Sequence, residues 1–240
     1  MHLIIDFGNT QAKIAVFDGN EMIRFESYPS LDLIRLKSDF DLESFYGVLL
    51  ASVIDHDPDL EAYINSLPGG HVVSASSQLP FTNTYGSPSS LGVDRMANAA
   101  ALRAKYTGRN ALCIDMGTCI KYDFVDRSGA YLGGAISPGF GMRFSALNTF
   151  TDKLPLIEPQ ATKDFIGTDT NSSMVSGVFQ GIVAELNGVI MNYIAKFGDV
   201  EIVMTGGDAS FFENEVKNSI FADAFFTLRG LNAILKVNAD

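Results

Sequence analysis

The sequence predicts an α/β protein built from two related lobes, and two observations carry this prediction. The first is an internal repeat: residues 3–18 read LIIDFGNTQAKIAVFD and residues 111–126 read ALCIDMGTCIKYDFVD. Each copy is an apolar run, Asp-x-Gly, small polar residues and a second β-rich run, which is typical of a hairpin. The second is the alternation of strand and helix patterns, which is typical of βαβ connections. We therefore predict lobes over residues 1–108 and 109–240.

The first lobe is predicted to begin with a strand hairpin and to continue with alternating helices and strands. Asp18-Gly19-Asn20 is the turn signal within the opening strands. Pro, Gly, Ser, Thr and Asn are frequent over residues 77–92, which predicts a loop. The predicted elements are strands at 2–6, 11–17 and 21–28, a helix near 31–38, a strand at 47–54, a helix at 57–66, a strand from His71, and an Ala-rich helix from Val93 that ends at Gly108.

The second lobe is predicted to repeat this order with more helix. Gly133–Gly139 contains glycine and proline and is expected to form a tightly held loop. Glycines 177, 181 and 188 recur on a similar face of a long helix, which would allow close helix packing. The predicted elements are strands at 111–115, 120–125 and 130–132, helices at 141–149 and 173–197, a strand at 200–204, and helices at 209–217 and 229–236.

Composition excludes several classes of function. The net charge is −11, with 17 Lys and Arg residues scattered among 28 Asp and Glu residues, so no basic face for nucleic acid is expected. No basic leader and no uninterrupted apolar stretch of membrane-spanning length is present, so we expect no membrane association. Cys113 and Cys119 are expected to be free thiols. These features together predict a cytoplasmic protein.

The repeated Asp-x-Gly turns are the first candidate sites for chemistry. Glycine lets backbone N–H groups approach phosphate oxygens, and an Asp that ends a strand can hold Mg²⁺ directly or through water. Asp6-Phe7-Gly8-Asn9-Thr10, followed by Lys13, is one such turn, and Asp115-Met116-Gly117-Thr118 is the other. A plain hairpin turn is the alternative for either copy alone. Their repetition favours a polyphosphate site.

Two further segments carry a functional and a structural interpretation each. Thr205-Gly206-Gly207-Asp208 follows a predicted strand, where glycines permit adenosine to lie against the backbone, or Asp208 simply caps the next helix. Gly92-Val93-Asp94-Arg95 begins a predicted helix. There Asp94 is either a helix cap or a general base for an acceptor hydroxyl, and Arg95 either fixes a polar substrate group or is a surface charge.

No P-loop and no GxGxxG motif is present. The motifs instead resemble those of the actin-like ATPase fold, in which two duplicated ribonuclease H-like lobes clamp ATP in a cleft between them. Within that superfamily the whole chain resembles the type III pantothenate kinase family. The motifs that carry the resemblance are Asp6, Gly8, Asn9, Thr10 and Lys13; Gly92, Asp94 and Arg95; Asp115, Gly117 and Thr118; Gly133, Gly134, Ile136, Pro138 and Gly139; and Thr205, Gly206 and Gly207.

The resemblance implies a role for each site residue. Asp94 would be the general base for the 4′-hydroxyl of pantothenate, Asp115 would bind a monovalent cation (K⁺ or NH₄⁺), and Asp6 would face Mg²⁺. The implied pantothenate contacts are Tyr85, Gly92, Val93, Asp94, Arg95 and Thr170. The implied ATP contacts are Asp6, Phe7, Gly8, Asn9, Thr10, Gln11, Ala12, Lys13, Thr118, Gly206 and Gly207. The resemblance also implies a homodimer with the pantothenate site at the subunit interface.

One departure from the family pattern affects the cation site. The second phosphate motif usually continues Ala-x-Thr, whereas here Cys119-Ile120-Lys121 follows. Lys121 either partly replaces the cation or points to solvent. Two other functions remain open: a sugar kinase on the same fold, and an actin-like nucleotide switch. Sugar kinases generally have longer substrate lobes, and a switch has no need of an acceptor base at Asp94.

Overall fold

The computed structural model of the protein describes residues 1–239. By internal contacts the chain divides into two compact units. The first comprises Met1–Thr107, Ser128–Leu132 and the chain from Phe225 onward, and the second comprises Gly108–Arg127 and Gly133–Ala224. Two segments of the second half of the sequence therefore belong to the first unit. The lobe division inferred from the repeat stays a prediction.

Strands and helices alternate along most of the described chain. Two single 3₁₀ turns, Leu42–Ser44 and Pro88–Ser90, interrupt the connections. The strands are β1 His2–Phe7, β2 Ala12–Asp18, β3 Glu21–Tyr28, β4 Gly47–Ser52, β5 Gly70–Val72, β6 Thr82–Asn83, β7 Asn110–Met116, β8 Cys119–Val125, β9 Ala130–Pro138, β10 Val200–Thr205 and β11 Phe221–Ala222. The helices are α1 Leu33–Asp39, α2 Pro58–Ser66, α3 Val93–Lys105, α4 Phe140–Thr149, α5 Thr170–Phe197, α6 Ala209–Phe212 and α7 Phe226–Lys236.

The first unit is built on a five-stranded sheet in the order β3-β2-β1-β4-β5. β1 is antiparallel to β2 and parallel to β4. The apolar residues of β1 are buried, because helices cover the sheet. Such burial is expected of a strand whose apolar residues follow one another without interruption. Gly19, at φ +58°, supplies the left-handed residue of the predicted β2–β3 turn.

The C-terminal helix α7 packs on α3 within the first unit. At the contact, a Cβ atom on Gly230 would lie only 1.8 Å from the carbonyl oxygen of Ala97, so only glycine allows this approach. The segment 128–132 belongs to the same unit. It is joined to β6 by a short strand pairing, of Thr82 with Ala130 and of Asn83 with Tyr131.

The second unit contains the strands β11, β10, β7, β8 and β9 in that order. β7 pairs in parallel with β10 and antiparallel with β8. One side of α5 closes the core, through Met174, Val178, Phe179, Ile182, Leu186 and Ile190. This helix is long and apolar enough to cross a membrane by length and composition alone. The apolar residues listed above lie on its buried side.

Two predictions for the second unit were wrong. Residues 133–138 are the end of strand β9 and not a loop, since Gly134 lets β9 approach β8: a Cβ there would lie 1.6 Å from the Tyr122 carbonyl oxygen. The helix predicted at 209–217 is only the single turn α6. A Cβ on Gly177, Gly181 or Gly188 would meet nothing within 4 Å among the described residues. The close helix packing predicted for these glycines is therefore not made within the described part of the chain and stays a prediction.

Candidate functional site

The first Asp-x-Gly turn joins β1 to β2. Asp6 lies directly opposite Lys13 on β2 and beside Ala51 on the parallel strand β4. In the turn, the Gly8 N–H donates to the carbonyl oxygen of Gln11 at 3.1 Å. The turn residues from Asn9 to Gln11 are exposed. This places a carboxylate at the strand end and accessible backbone in the turn, as the phosphate interpretation requires.

The second turn repeats this arrangement between β7 and β8. Asp115 lies directly opposite Lys121 on β8 and beside Thr205 on the parallel strand β10. The Gly117 N–H donates to the Cys119 carbonyl oxygen at 3.1 Å. Among the described residues, a Cβ on Gly117 would meet nothing within 4 Å, so the space above the turn is open. The sequence repeat therefore corresponds to a repeat of strand pairing.

Lys121 forms an ion pair with Asp115. Its Nζ lies 2.7 Å from Asp115 Oδ2, and the two side chains are only 17% and 11% exposed. The alternative that Lys121 points to solvent is thus wrong. The pairing follows from the strand register, because opposed residues of an antiparallel pair project to the same face of the sheet.

Three motifs of the second unit meet at the carboxyl end of β7. Gly206, at φ +96°, packs on Met116, whose carbonyl oxygen also accepts the Asp208 N–H at 3.0 Å. Gly139, at the start of α4, donates its N–H to the Thr118 carbonyl oxygen at 3.1 Å. The turn between β7 and β8 is therefore held on both sides by glycine backbones. Gly207 faces open space, which leaves room for a ligand.

Asp208 occupies the N-cap position of α6, as the structural interpretation of this segment expects. Although it precedes α6, its side chain makes no capping hydrogen bond. Burial raises the pKa of its carboxyl group. The segment therefore forms a strand-to-helix turn, and its contact with adenosine stays a prediction.

Asp94 lies in the first turn of α3, after the N-cap residue Gly92. Its Oδ1 accepts the Arg95 N–H at 2.9 Å, which fixes the carboxylate. A Cβ on residue 92 would lie 2.7 Å from this oxygen, so glycine makes room for it. Asp94 is therefore not the N-cap residue itself, and Val93 is the first residue of the helix.

Arg95 is not a surface charge, since it is only 5% exposed. Its guanidinium lies over two aromatic rings, 5.5 Å from the centre of Tyr85 and 5.9 Å from that of Tyr131. Such cation–π contacts hold a guanidinium in a partly apolar setting. The structure brings Tyr85, Gly92, Asp94 and Arg95 together. The sequence did not predict that Tyr131 contacts Arg95, because Tyr131 belongs to no motif and is placed there by the pairing of its strand.

Thr170 lies in the second unit as the first residue of α5. Asp169 caps this helix, accepting the Ser172 N–H at 2.8 Å, and that hydrogen bond lowers the pKa of the Asp169 carboxyl group. Thr170 also lines a pocket of about 870 Å³ formed by α4, α5 and the chain between them. The other lining residues are mostly apolar, with Arg143 the charged exception.

Glu185 holds Arg143 at the side of this pocket. It accepts hydrogen bonds from Tyr122 Oη at 2.8 Å, from Ser137 Oγ at 2.5 Å and from Arg143. Burial alone would raise the pKa of Glu185, but these three donors together lower it. The network joins β8, β9, α4 and α5, so it fixes the elements around the pocket.

A family model described as type III pantothenate kinase matches residues 2–192. A curated relative from Christiangramia forsetii with the same description is 42% identical over 248 aligned positions, and the alignment covers 99% of each chain. The chain belongs to the type III pantothenate kinase family. This family consists of enzymes.

Solved structures of low sequence identity show the fold. A protein from Campylobacter jejuni described as belonging to the Baf family of transcriptional activators matches with a TM-score of 0.66 at 20% identity, over 98% of this chain and 97% of the other. A ROK hexokinase from Thermus thermophilus matches with a TM-score of 0.51 at 12% identity, over 97% of each chain. The predicted fold class, that of the two-lobed actin-like ATPases and sugar kinases, is confirmed.

Neither phosphate turn forms a metal cage. Among residues 1–239 there is no group of three or more His, Cys, Asp or Glu side chains that could hold a metal ion. Mg²⁺ typically keeps several waters and binds through one or two carboxylates together with substrate phosphates. A single carboxylate at Asp6 therefore fits an Mg²⁺ ion that enters with a nucleotide.

Proposed function

We propose that this member of the type III pantothenate kinase family transfers the γ-phosphoryl group of Mg·ATP to the 4′-hydroxyl of pantothenate. The product would be 4′-phosphopantothenate, in the first step of coenzyme A biosynthesis. The observation that carries the proposal is the nearly full-length relationship to the curated relative. Asp94 supplies the chemical support, because its fixed carboxylate lies in the first turn of α3 next to the buried Arg95.

In this proposal Asp94 is the general base. The proton of a primary alcohol is lost only as the phosphoryl group is transferred, so a base within hydrogen-bond reach helps at neutral pH. The Arg95 N–H orients one carboxylate oxygen of Asp94. Pantothenate would be bound by Tyr85, Gly92, Val93, Asp94, Arg95 and Thr170.

The two Asp-x-Gly turns are proposed to hold the nucleotide. Phosphoryl transfer depends on positioning and charge neutralisation, which accessible turn N–H groups and Lys13 can supply. Asp6 is the carboxylate proposed for Mg²⁺, which neutralises phosphate charge when bound. The remaining proposed ATP contacts are residues 7–12, Thr118, Gly206 and Gly207, the last with open space for the adenosine.

The monovalent cation implied by the family resemblance does not fit this chain. Asp115 would have to be its ligand, yet the Lys121 ammonium already lies 2.7 Å from Asp115 Oδ2. We therefore assign no step of the reaction to a bound K⁺ or NH₄⁺ ion.

We also propose that the protein is a cytoplasmic homodimer. The support for a dimer is an exposed face of α5 made of small residues, at Ser173, Gly177, Gly181, Ala184 and Gly188. Side chains of this size let a second helix approach closely. Phe165 and Ile166, just before α5, are 81% and 76% exposed and would add apolar surface to the same contact.

The decisive experiment measures ADP release and the mass of the phosphorylated product. Purified protein is incubated with Mg·ATP and either pantothenate, glucose, N-acetylmannosamine or no acceptor. We expect ADP only with pantothenate, together with a product heavier by one phosphoryl group. ADP release without any acceptor would instead support a nucleotide switch, and turnover of a sugar alone would support a sugar kinase.

A further inference from the structure

Asp115 and Lys121 form an ion pair that is shielded from solvent at the second phosphate turn. Lys121 Nζ lies 2.7 Å from Asp115 Oδ2, and neither side chain is more than 17% exposed. The flanking residues Ile120 and Tyr122 are buried, so β8 has little freedom to carry the lysine elsewhere. The ammonium group is therefore held at the carboxylate by the strand register.

The chemistry of the lysine head group matches that of the ion the family resemblance predicts. A lysine side chain ends in an ammonium group, which is a tethered analogue of NH₄⁺ with one positive charge. A second cation bound to the same carboxylate would lie close to this charge. In a site with little water such like charges repel strongly, because solvent screening is weak.

We propose that Lys121 is the resident cation of the Asp115 site and that turnover requires neither K⁺ nor NH₄⁺. This inference rests on the proposed kinase function, because it concerns the electrostatics of the same phosphate turn. Lys121 is thus a positioning residue that balances the charge of Asp115. Asp115 in turn lies next to Thr205 on β10. It replaces an ion that would have to be taken up from solution.

The first test compares salts with the unchanged protein. After dialysis into choline chloride, pantothenate-dependent ADP release is measured in KCl, NH₄Cl, NaCl and choline chloride at constant ionic strength. We expect rates within twofold of one another. A wild-type rate that rises more than fivefold specifically in K⁺ and NH₄⁺ would overturn the proposal.

The second test removes the charge with Lys121→Met, which keeps the length of the side chain. We expect its rate in choline chloride to fall at least tenfold and to recover at least partly in KCl. Its melting temperature should rise in KCl relative to choline chloride at equal ionic strength, whereas the wild type should show no such difference. Lys217→Met, which removes an exposed positive charge outside the site, should behave as the wild type.

The outcomes separate this inference from the proposed function. If Lys121→Met responds to K⁺ neither in rate nor in melting temperature, Lys121 does not take the place of an ion and the proposal fails. If the wild type phosphorylates no pantothenate in any salt, the kinase proposal fails, while the melting temperatures still test the cation site. If Lys121→Met does not fold, the wild-type salt series decides alone.

Discussion

Gly206 packs directly on the backbone of Met116. Its φ of +96° lies in the region that favours glycine, and a Cβ atom there would be 2.3 Å from the Met116 carbonyl oxygen. Met116 is the last residue of β7 and precedes the glycine of the second phosphate turn. The Thr-Gly-Gly motif thus supports the turn between β7 and β8 through the packing of Gly206 on Met116.

This contact predicts different effects for two neighbouring glycines. Gly206→Ala should lower the free energy of unfolding by about 1–3 kcal/mol, because the side chain both strains the backbone and displaces Met116. Gly207→Ala is the matched control and should change it by less than about 0.5 kcal/mol, since its Cβ would meet nothing within 4 Å. Urea unfolding measures both. Equal stability of the two variants would contradict the packing role of Gly206.

A second prediction concerns Asp94. Asp94→Asn keeps the shape of the side chain but removes the base, so kcat should fall by about 10²–10⁴-fold while ATP still binds. Steady-state kinetics and ATP titration by calorimetry measure the two effects. Asp59→Asn is the control, because Asp59 also lies in the first turn of a helix but on the exposed surface of α2. A variant at position 94 with near wild-type kcat would exclude the general-base role.

A third prediction concerns the pH dependence of the Glu185 network. Because the pKa of Glu185 in the folded protein lies below its ordinary value of 4.5, its ionised form stabilises the fold above that value. This stabilisation is lost as the pH falls through the lowered pKa. Glu185→Gln should therefore lower the free energy of unfolding by about 1–3 kcal/mol near neutral pH. Below about pH 4 the free energies of unfolding of the variant and the wild type should become more similar.

Unfolding curves at several pH values test the Glu185 prediction. Glu201→Gln is the matched control, since Glu201 pairs with Arg109 at the surface, where the two side chains are 37% and 68% exposed. A surface pair of this kind contributes at most about 1 kcal/mol. If Glu185→Gln lowers the free energy of unfolding by the same amount at pH 3 and at pH 7, the ionisation of Glu185 does not stabilise the fold.

The hairpins and most helices could be predicted because their signals are local. The Asp18–Asn20 turn, the apolar run of β1 and the Ala-rich pattern of α3 each lie within a few adjacent residues. The prediction for residues 133–138 failed because glycine frequency suggested a loop. In the structure, Gly134 instead serves the close approach of β9 to β8, which is a contact between strands that local sequence does not reveal.

The contacts between the predicted site residues could not be inferred from the motifs alone. Asp115 and Lys121 are six positions apart, and only the β7–β8 register brings their charged groups together. The sequence shows Arg95 only as a charged residue at the start of a helix. In the structure its guanidinium lies over the rings of Tyr85 and Tyr131. Whether a charged side chain is buried depends on residues that are distant in sequence. The Gly-x-Asp-Arg motif alone therefore did not predict that Arg95 is buried.

The last prediction concerns the proposed dimer. Gly177, Gly181 and Gly188 lie on the exposed face of α5, and a Cβ on any of them would meet nothing within 4 Å in residues 1–239. Gly181→Glu should therefore leave the fold of the subunit intact, apart from the ordinary effects of replacing a helical glycine. In a dimer packed through this face, however, it would place two carboxylates in a tight helix contact, where like charges repel.

Light scattering after size-exclusion chromatography measures this effect. The wild type should have about twice the chain mass of 26.0 kDa, and Gly181→Glu should shift towards the mass of a single chain. Ala62→Glu, on an exposed face of α2 in the first unit, adds the same charge and should leave the mass unchanged. Loss of pantothenate turnover together with the dimer would further support a subunit contact at Thr170, which begins the same helix. A Gly181→Glu protein with an unchanged dimeric mass would show that the subunits associate through another surface.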